Sequence, residues 1–194
     1  MGEERTIRPL QLDDDQQCAD LLSLQRAAYS VEAAIIGSTE IPALRDTVAT
    51  LQACGESFWG YFDEGRLTGA ISYRRLGDTL DIHRLVVHPT QFRQGIARKL
   101  LRFVEAAARA ARLQRIIVST GAANTPACAL YLSEGFDALC SEEAAPGLRI
   151  TRFAKHIASG EDAQRTVATG PAASLAAPLA DSGQNTSKRA LNRR

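Results

Sequence analysis

Residues 79–121 hold two apolar, β-branched runs joined by one amphipathic basic stretch, and this arrangement constrains the fold more than any other feature of the chain. The first run, TLDIHRLVVH, stops at a His-Pro pair. A short loop comes next, carrying Gln91, Arg93, Gln94 and the single glycine Gly95. The stretch after it, IARKLLRFVEAAARAAR, places Ile96, Leu100, Val104, Ala107 and Ala111 on one helical stripe. RIIVST then reads as a strand covered on both faces, because it is apolar and β-branched without alternation. Together these segments form one strand-helix-strand crossover. The loop between them spends a glycine and several basic and amide residues at the start of the helix.

The segments upstream read as an antiparallel meander with two helices inserted. RTIRPL is a first strand, and DDDQQCADLLSLQRAAY is a helix, capped and given first-turn acid by Asp13 to Asp15. IPALRDTVATLQACG reads as a second helix, opened by Pro42 and stopped by Gly55. SFWGYFDEGRLTGAISYRR is a hairpin, since two aromatic and β-branched runs flank DEGR. Downstream of the crossover, PACALYLSEG is a shorter helix, and FDALC with LRITRF makes a final hairpin. The order is mixed α+β.

A chain of 194 residues favours one well-cored domain. The pattern places that domain over residues 1–156, because residues 157–194 lack aromatic residues and are rich in Ala, Ser, Thr, Gly and Pro. Such a tail buries too little surface to offset its chain entropy and is expected to be disordered. Its end, KRALNRR, reads as a solvated basic cluster. With a formal net charge of +1 the chain has no bulk electrostatic pull toward nucleic acid or an anionic membrane, so neither partner is expected. Cys18, Cys54, Cys128 and Cys140 are too scattered for a zinc site or a disulfide framework and are expected as free, buried thiols. No metal is expected. The N-terminus lacks an apolar leader and no stretch reaches membrane-spanning length, which makes the cytoplasm the expected compartment.

A helix that begins directly after a strand leaves its first backbone N–H groups unpaired and partly positive, a ready cradle for phosphate. Gly95 allows close backbone approach, and Arg93, Arg98 and Lys99 add charge. The pattern suits a pyrophosphate. It is neither the dinucleotide fingerprint G-x-G-x-x-G, having one glycine, nor a P-loop, having no G-K-[ST]. An amphipathic helix with exposed basic residues would look the same in isolation.

LVVHP with QFRQGIARKLL, and then STGAANTPACALYLSEGF downstream, resembles the GNAT superfamily of N-acetyltransferases over about residues 5–155. That family's phosphate loop carries Q/R-x-x-G-x-G/A ahead of a helix. Here the glycine is Gly95 and the G/A position is Ala97, while Phe92 and Arg93 depart from the common residues. The resemblance implies a GNAT fold, an α/β/α sandwich with a mixed, mostly antiparallel sheet of about six or seven strands and helices on both faces. It implies acetyl-CoA as co-substrate, with the backbone of Arg93, Gln94, Gly95, Ile96 and Ala97, and with Arg98, at the pyrophosphate. Leu85, Val86 and Val87 would pair with the pantetheine arm. A bulge in that strand would aim one amide, of Val86 or Val87, at the thioester carbonyl. Asn124 would touch the pantetheine, and Tyr131 would be the general acid.

Acetyl transfer to an amine also needs a base for the ammonium. Asp81 and His83 sit at i and i+2 of one strand, hence on one face in the absence of a bulge, and both are candidates. His88 reads as structural. The first helix region and the loop AYSVEAAIIGSTEIP would form the acceptor site, where Tyr29, Glu32 and Glu40 could recognise a cationic amine or serve as an alternate base. Trp59 and Tyr61 could line a wall, or belong to the core. The expected activity is direct transfer of an acetyl group, in a ternary complex, to a primary amine of a small molecule or peptide. A non-catalytic acetyl-CoA sensor is the alternative, and a homodimer is possible by analogy.

Overall fold

A computed structural model describes residues 5–145 and 147–157. The tail from residue 158 onward, including KRALNRR, lies outside the described residues. In chain order the elements are β1 (Thr6–Pro9), α1 (Asp15–Ile36), α2 (Val48–Ala53), β2 (Ser57–Asp63), β3 (Arg66–Leu76), β4 (Thr79–Val87), α3 (Ile96–Ala110), β5 (Arg115–Gly121), α4 (Thr125–Ser133), β6 (Asp137–Ala145) and β7 (Leu148–His156). The strands form one 7-stranded sheet in the order β1-β2-β3-β4-β5-β7-β6. Only β4 and β5 run parallel, joined by the crossover through α3. The α+β reading of the sequence is the observed architecture.

Side-chain alternation sorts the core into two layers. On one face Phe58, Phe62, Ala70 and Val86 pack against Leu21, Leu22 and Leu24 of α1 and Leu51 of α2. On the other, Ile71, Tyr73, Leu80 and Ile82 pack against Ile96, Leu100 and Val104 of α3, together with Tyr131 of α4. Trp59 and Tyr61 belong to this second layer. The Trp59 indole N–H donates to the Tyr73 hydroxyl at 3.1 Å and its ring lies 4.6 Å from that of Phe103. They are core, not an acceptor wall. At Gly69 an added Cβ would lie 2.7 Å from Cγ2 of Ile96, so the missing side chain is what lets the first turn of α3 settle on β3.

The structure alters two of the expected elements. The α1 helix does not stop near Tyr29; Asp14 caps its start and it continues to Ile36, where Gly37 adopts the left-handed conformation (φ 69°) that ends it. The segment expected as an acceptor loop is therefore half helix. The second expected helix is split: Pro42–Arg45 form a 3-10 turn, Asp46 is extended, and Thr47 restarts the chain as α2 through a reciprocal capping box with Thr50. Asp46 is thereby held at a corner instead of inside a helix. Of the cysteines only Cys18 is buried; Cys54 and Cys128 are half-buried and Cys140 is exposed. Ile157, the first tail residue, is buried and its N–H donates to the carbonyl of Gln114.

Candidate active site

The sheet carries its site where it splits. β4 pairs with β5 only from Thr79↔Arg115 to Ile82↔Val118, yet β4 continues to Val87 and β5 to Gly121. Along β3 the register skips one residue: Tyr73 faces Ile82 and Ser72 faces Arg84, leaving His83 as the extra residue of a bulge. The bulge therefore sits where the two strands part, upstream of Val86 and Val87. Asp81 and His83 are not a simple i, i+2 pair.

Two cavities meet at the split. The larger, of about 900 Å³, runs under the start of α3, and the smaller, of about 370 Å³, lies between α1, the 3-10 turn and the ends of β5 and β7. They share six lining residues: Tyr29 and Glu32 of α1, Leu85 of β4, and Asn124, Ala127 and Tyr131 at α4. Molecules held in the two cavities would meet at those six.

Gln91, Phe92, Arg93, Gly95, Ile96, Ala97 and Arg98 line the larger cavity; Gln94 does not and is exposed. Gly95 caps α3 in the left-handed region (φ 77°) with no side chain accepting from the first turn, and Arg93 is left-handed as well (φ 64°). The amides at the start of α3 are thus uncapped, which is the condition for an anion cradle. Of the three cations expected there, two are spent on protein partners. Arg98 pairs with Glu134 and donates to the Ser133 hydroxyl, and Lys99 donates to the Tyr61 hydroxyl at 3.1 Å. Arg93 alone of the three makes no ion pair or side-chain hydrogen bond among the described residues.

Strand polarity also revises the amide expected to face the donor. His88 N–H donates to Thr68 O on β3 at 2.8 Å. Because alternate amides of a strand point the same way, Val86 also faces β3, and the amides of Leu85 and Val87 point into the split. Asn124 has a first task of its own: its side-chain oxygen accepts from Ala127 N–H at 3.2 Å and caps α4.

Tyr131 is buried against the rings of Phe136 and Phe153, with centroids 5.7 and 5.4 Å away. Its hydroxyl makes no hydrogen bond among the described residues. Burial, reinforced by Glu32 and Tyr29, pushes its pKa well above the ordinary tyrosine value, so the proton stays on oxygen at neutral pH. Tyr29 is raised in the same direction, by burial first.

The smaller cavity contains a charge network that sequence reading missed. Arg84 pairs with Asp46 and with Glu56, its Nε donating to Glu56 Oε2 at 2.9 Å, while the Ser72 hydroxyl donates to the same oxygen at 2.6 Å. Burial pushes the Glu56 carboxyl up, but Arg84 and Ser72 outweigh it and hold the group below its ordinary range. His83 lies between two carboxylates, Nδ1 at 3.6 Å from Glu56 and Nε2 at 3.6 Å from Asp81. Burial raises Asp81, against the pull of His83. Asp81 lines neither cavity, and Glu40 lines the smaller one already paired with Arg45. His88 caps the 3-10 turn Pro89–Gln91, its Nδ1 2.8 Å from the Thr90 hydroxyl. Among the described residues no group of His, Cys, Asp and Glu could hold a metal. None of the described helices is long and apolar enough to cross a membrane.

Residues 19–136 match the model of the Acetyltransferase (GNAT) family, a span that takes in most of α1, the split and Tyr131. The chain belongs to the GNAT family of acetyltransferases. Like this GNAT chain in fold is the ribosomal-protein-S18-alanine N-acetyltransferase of Escherichia coli, with a TM-score of 0.65 and 17% identity over 79% of this chain and 94% of that one. The PaiA N-acetyltransferase of Thermoplasma acidophilum, solved in complex with coenzyme A, superposes with a TM-score of 0.60 and 19% identity over 77% and 98% of the two chains. In sequence, UPF0157 protein YqkA of Bacillus subtilis is 44% identical over 134 residues, 69% of this GNAT chain. The chain spans 38% of the length of that curated relative.

Proposed function

We propose that this GNAT chain transfers an acetyl group from acetyl-CoA directly to a primary amine of a small molecule or peptide. One observation carries the reading: the cavity under the uncapped start of α3 and the cavity beside α1 meet at Tyr131, within the split between β4 and β5. The amides of Ile96 and Ala97, with Arg93, would hold the pyrophosphate, and the pantetheine arm would lie along Leu85 and Val87 as a strand in the gap. One of those two amides, facing the split, would stabilise the oxyanion. An amine in the smaller cavity attacks the thioester carbonyl, and the collapsing intermediate expels thiolate, which takes the Tyr131 proton. No covalent enzyme intermediate is needed. The coenzyme A complex of the Thermoplasma neighbour supports the choice of donor.

The test has two parts. Calorimetry with acetyl-CoA should give one site per chain, and a thiol-release assay across alkylamines, diamines, amino acids and a short peptide should show turnover. Binding without release from any amine would favour a sensor instead of an enzyme.

A further inference from the structure

We propose that Glu32 is the group that takes the proton from the incoming ammonium, a role that rests on the acyl-transfer reading of the site. Four observations support it. First, Glu32 is the one carboxylate among the described residues that lines both cavities, so it faces the junction where nitrogen and thioester must meet. Second, it is fixed in place by helix packing. An added Cβ at Gly121 would lie 3.0 Å from Cγ2 of Ile36, so the bare backbone at the end of β5 lets the last turns of α1 come close. Glu32 stands one turn before Ile36 on the same helix face and accepts from the Thr120 hydroxyl at 3.5 Å.

Third, Glu32 forms no ion pair among the described residues, whereas its rivals are committed. Asp46 and Glu56 share Arg84, Glu40 holds Arg45, and Asp81 lines neither cavity. His83 reaches the smaller cavity only, braced between Glu56 and Asp81. A carboxylate without a cation has no ion pair to break when an ammonium arrives. Fourth, the groups around it suit that task. Tyr29 of α1 and Tyr131 of α4 both stay protonated, Cys128 lies near Tyr131, and β5 contributes the neutral Thr120. The titratable side chains that β4 contributes to the smaller cavity are those of His83 and Arg84.

In the reaction the ammonium gives one proton to Glu32, which passes it to solvent. The freed amine adds its lone pair to the thioester carbonyl, breaking the C=O π bond. The C–S bond then breaks, the thiolate takes the Tyr131 proton, and the tyrosinate recovers one from the nitrogen as the amide forms. Net products are the acetylated amine, coenzyme A thiol and one proton.

The experiment compares wild type, Glu32→Gln and Glu32→Asp by thiol release between pH 7 and pH 10, using acetyl-CoA and the primary amines of the panel. At pH 7, Glu32→Gln should lose about 10²–10⁴-fold in kcat, with acetyl-CoA affinity kept by calorimetry. That deficit should shrink toward pH 10, because an alkylammonium of pKa about 10 then arrives increasingly as free amine. Glu32→Asp should recover part of the rate. A raised amine KM with unchanged kcat, or a deficit that does not change with pH, would overturn the assignment and leave Glu32 a binding residue. Wild-type turnover in Glu32→Asp together with a Gln variant that cannot bind acetyl-CoA would also overturn it, the carboxylate then being structural. Absence of turnover by wild type itself would instead remove the functional reading on which the inference stands.

Discussion

A tyrosine can be kept for its ring or for its oxygen, and the proposed role of Tyr131 uses both. Its ring fills space between Phe136 and Phe153, the residue lines both cavities, and its hydroxyl makes no hydrogen bond among the described residues. Tyr131→Phe keeps the ring and removes only the oxygen. It should fold as wild type and bind acetyl-CoA with little change, yet lose about 10²-fold or more in kcat in the thiol-release assay. Unchanged turnover would strip Tyr131 of the acid role. At this scale the sequence was readable where one residue does a local job. Gly95 and the cap at Asp14 are each legible from the amphipathic helix directly C-terminal to them. The network of Arg84, Asp46 and Glu56 is not, because its members lie 38 and 28 positions apart and no local pattern marks residues that meet only after folding. Glu56 left one trace, an acid directly before an aromatic strand.

Elements were readable where period and punctuation agree, as in α3 and the β2–β3 hairpin, whose turn residues Glu64 and Gly65 both take positive φ. The end of α1 and the break before α2 were not. Val31 to Ile36 lack a clear polar face, and Thr47 acts as a cap only through its partner Thr50. The contact of α3 with β3 depends on Gly69, and that gives a prediction for the element as a whole. Gly69→Ala pushes a methyl group against Ile96 and Leu100. Overpacking of this kind costs roughly 1–3 kcal/mol. Chemical denaturation should show that loss, and calorimetry should show weaker acetyl-CoA binding, since the displaced turn is the one proposed to offer its amides to the pyrophosphate. Full stability and full affinity in the variant would mean that α3 seats itself independently of Gly69.

For the molecule as a whole, the mixed order of strands and helices was visible in the alternation of periods, but the insertion of β7 between β5 and β6 was not. A hairpin says that two strands pair and leaves open which of them joins the sheet. Stability also has a whole-molecule handle in Arg84, which bridges the corner at Asp46 to the start of β2 at Glu56. Arg84→Met leaves two largely buried carboxylates without their cation, a loss of about 3–5 kcal/mol. Because the Glu56 carboxyl is held below its ordinary range in the folded protein, its contribution is complete above that range and disappears as pH falls below about 4. Denaturation midpoints should therefore drop with acid in wild type and drop less steeply in Arg84→Met.

The seam between β4 and β5 runs from Thr79 to Ile82 and no further. A sheet slit for half its depth would flex more easily at the slit than a continuous sheet does. A strand-shaped guest lodged in the opening would act as a splint. The sheet would then be finished by its own substrate, stiff while loaded and compliant again once the arm withdraws.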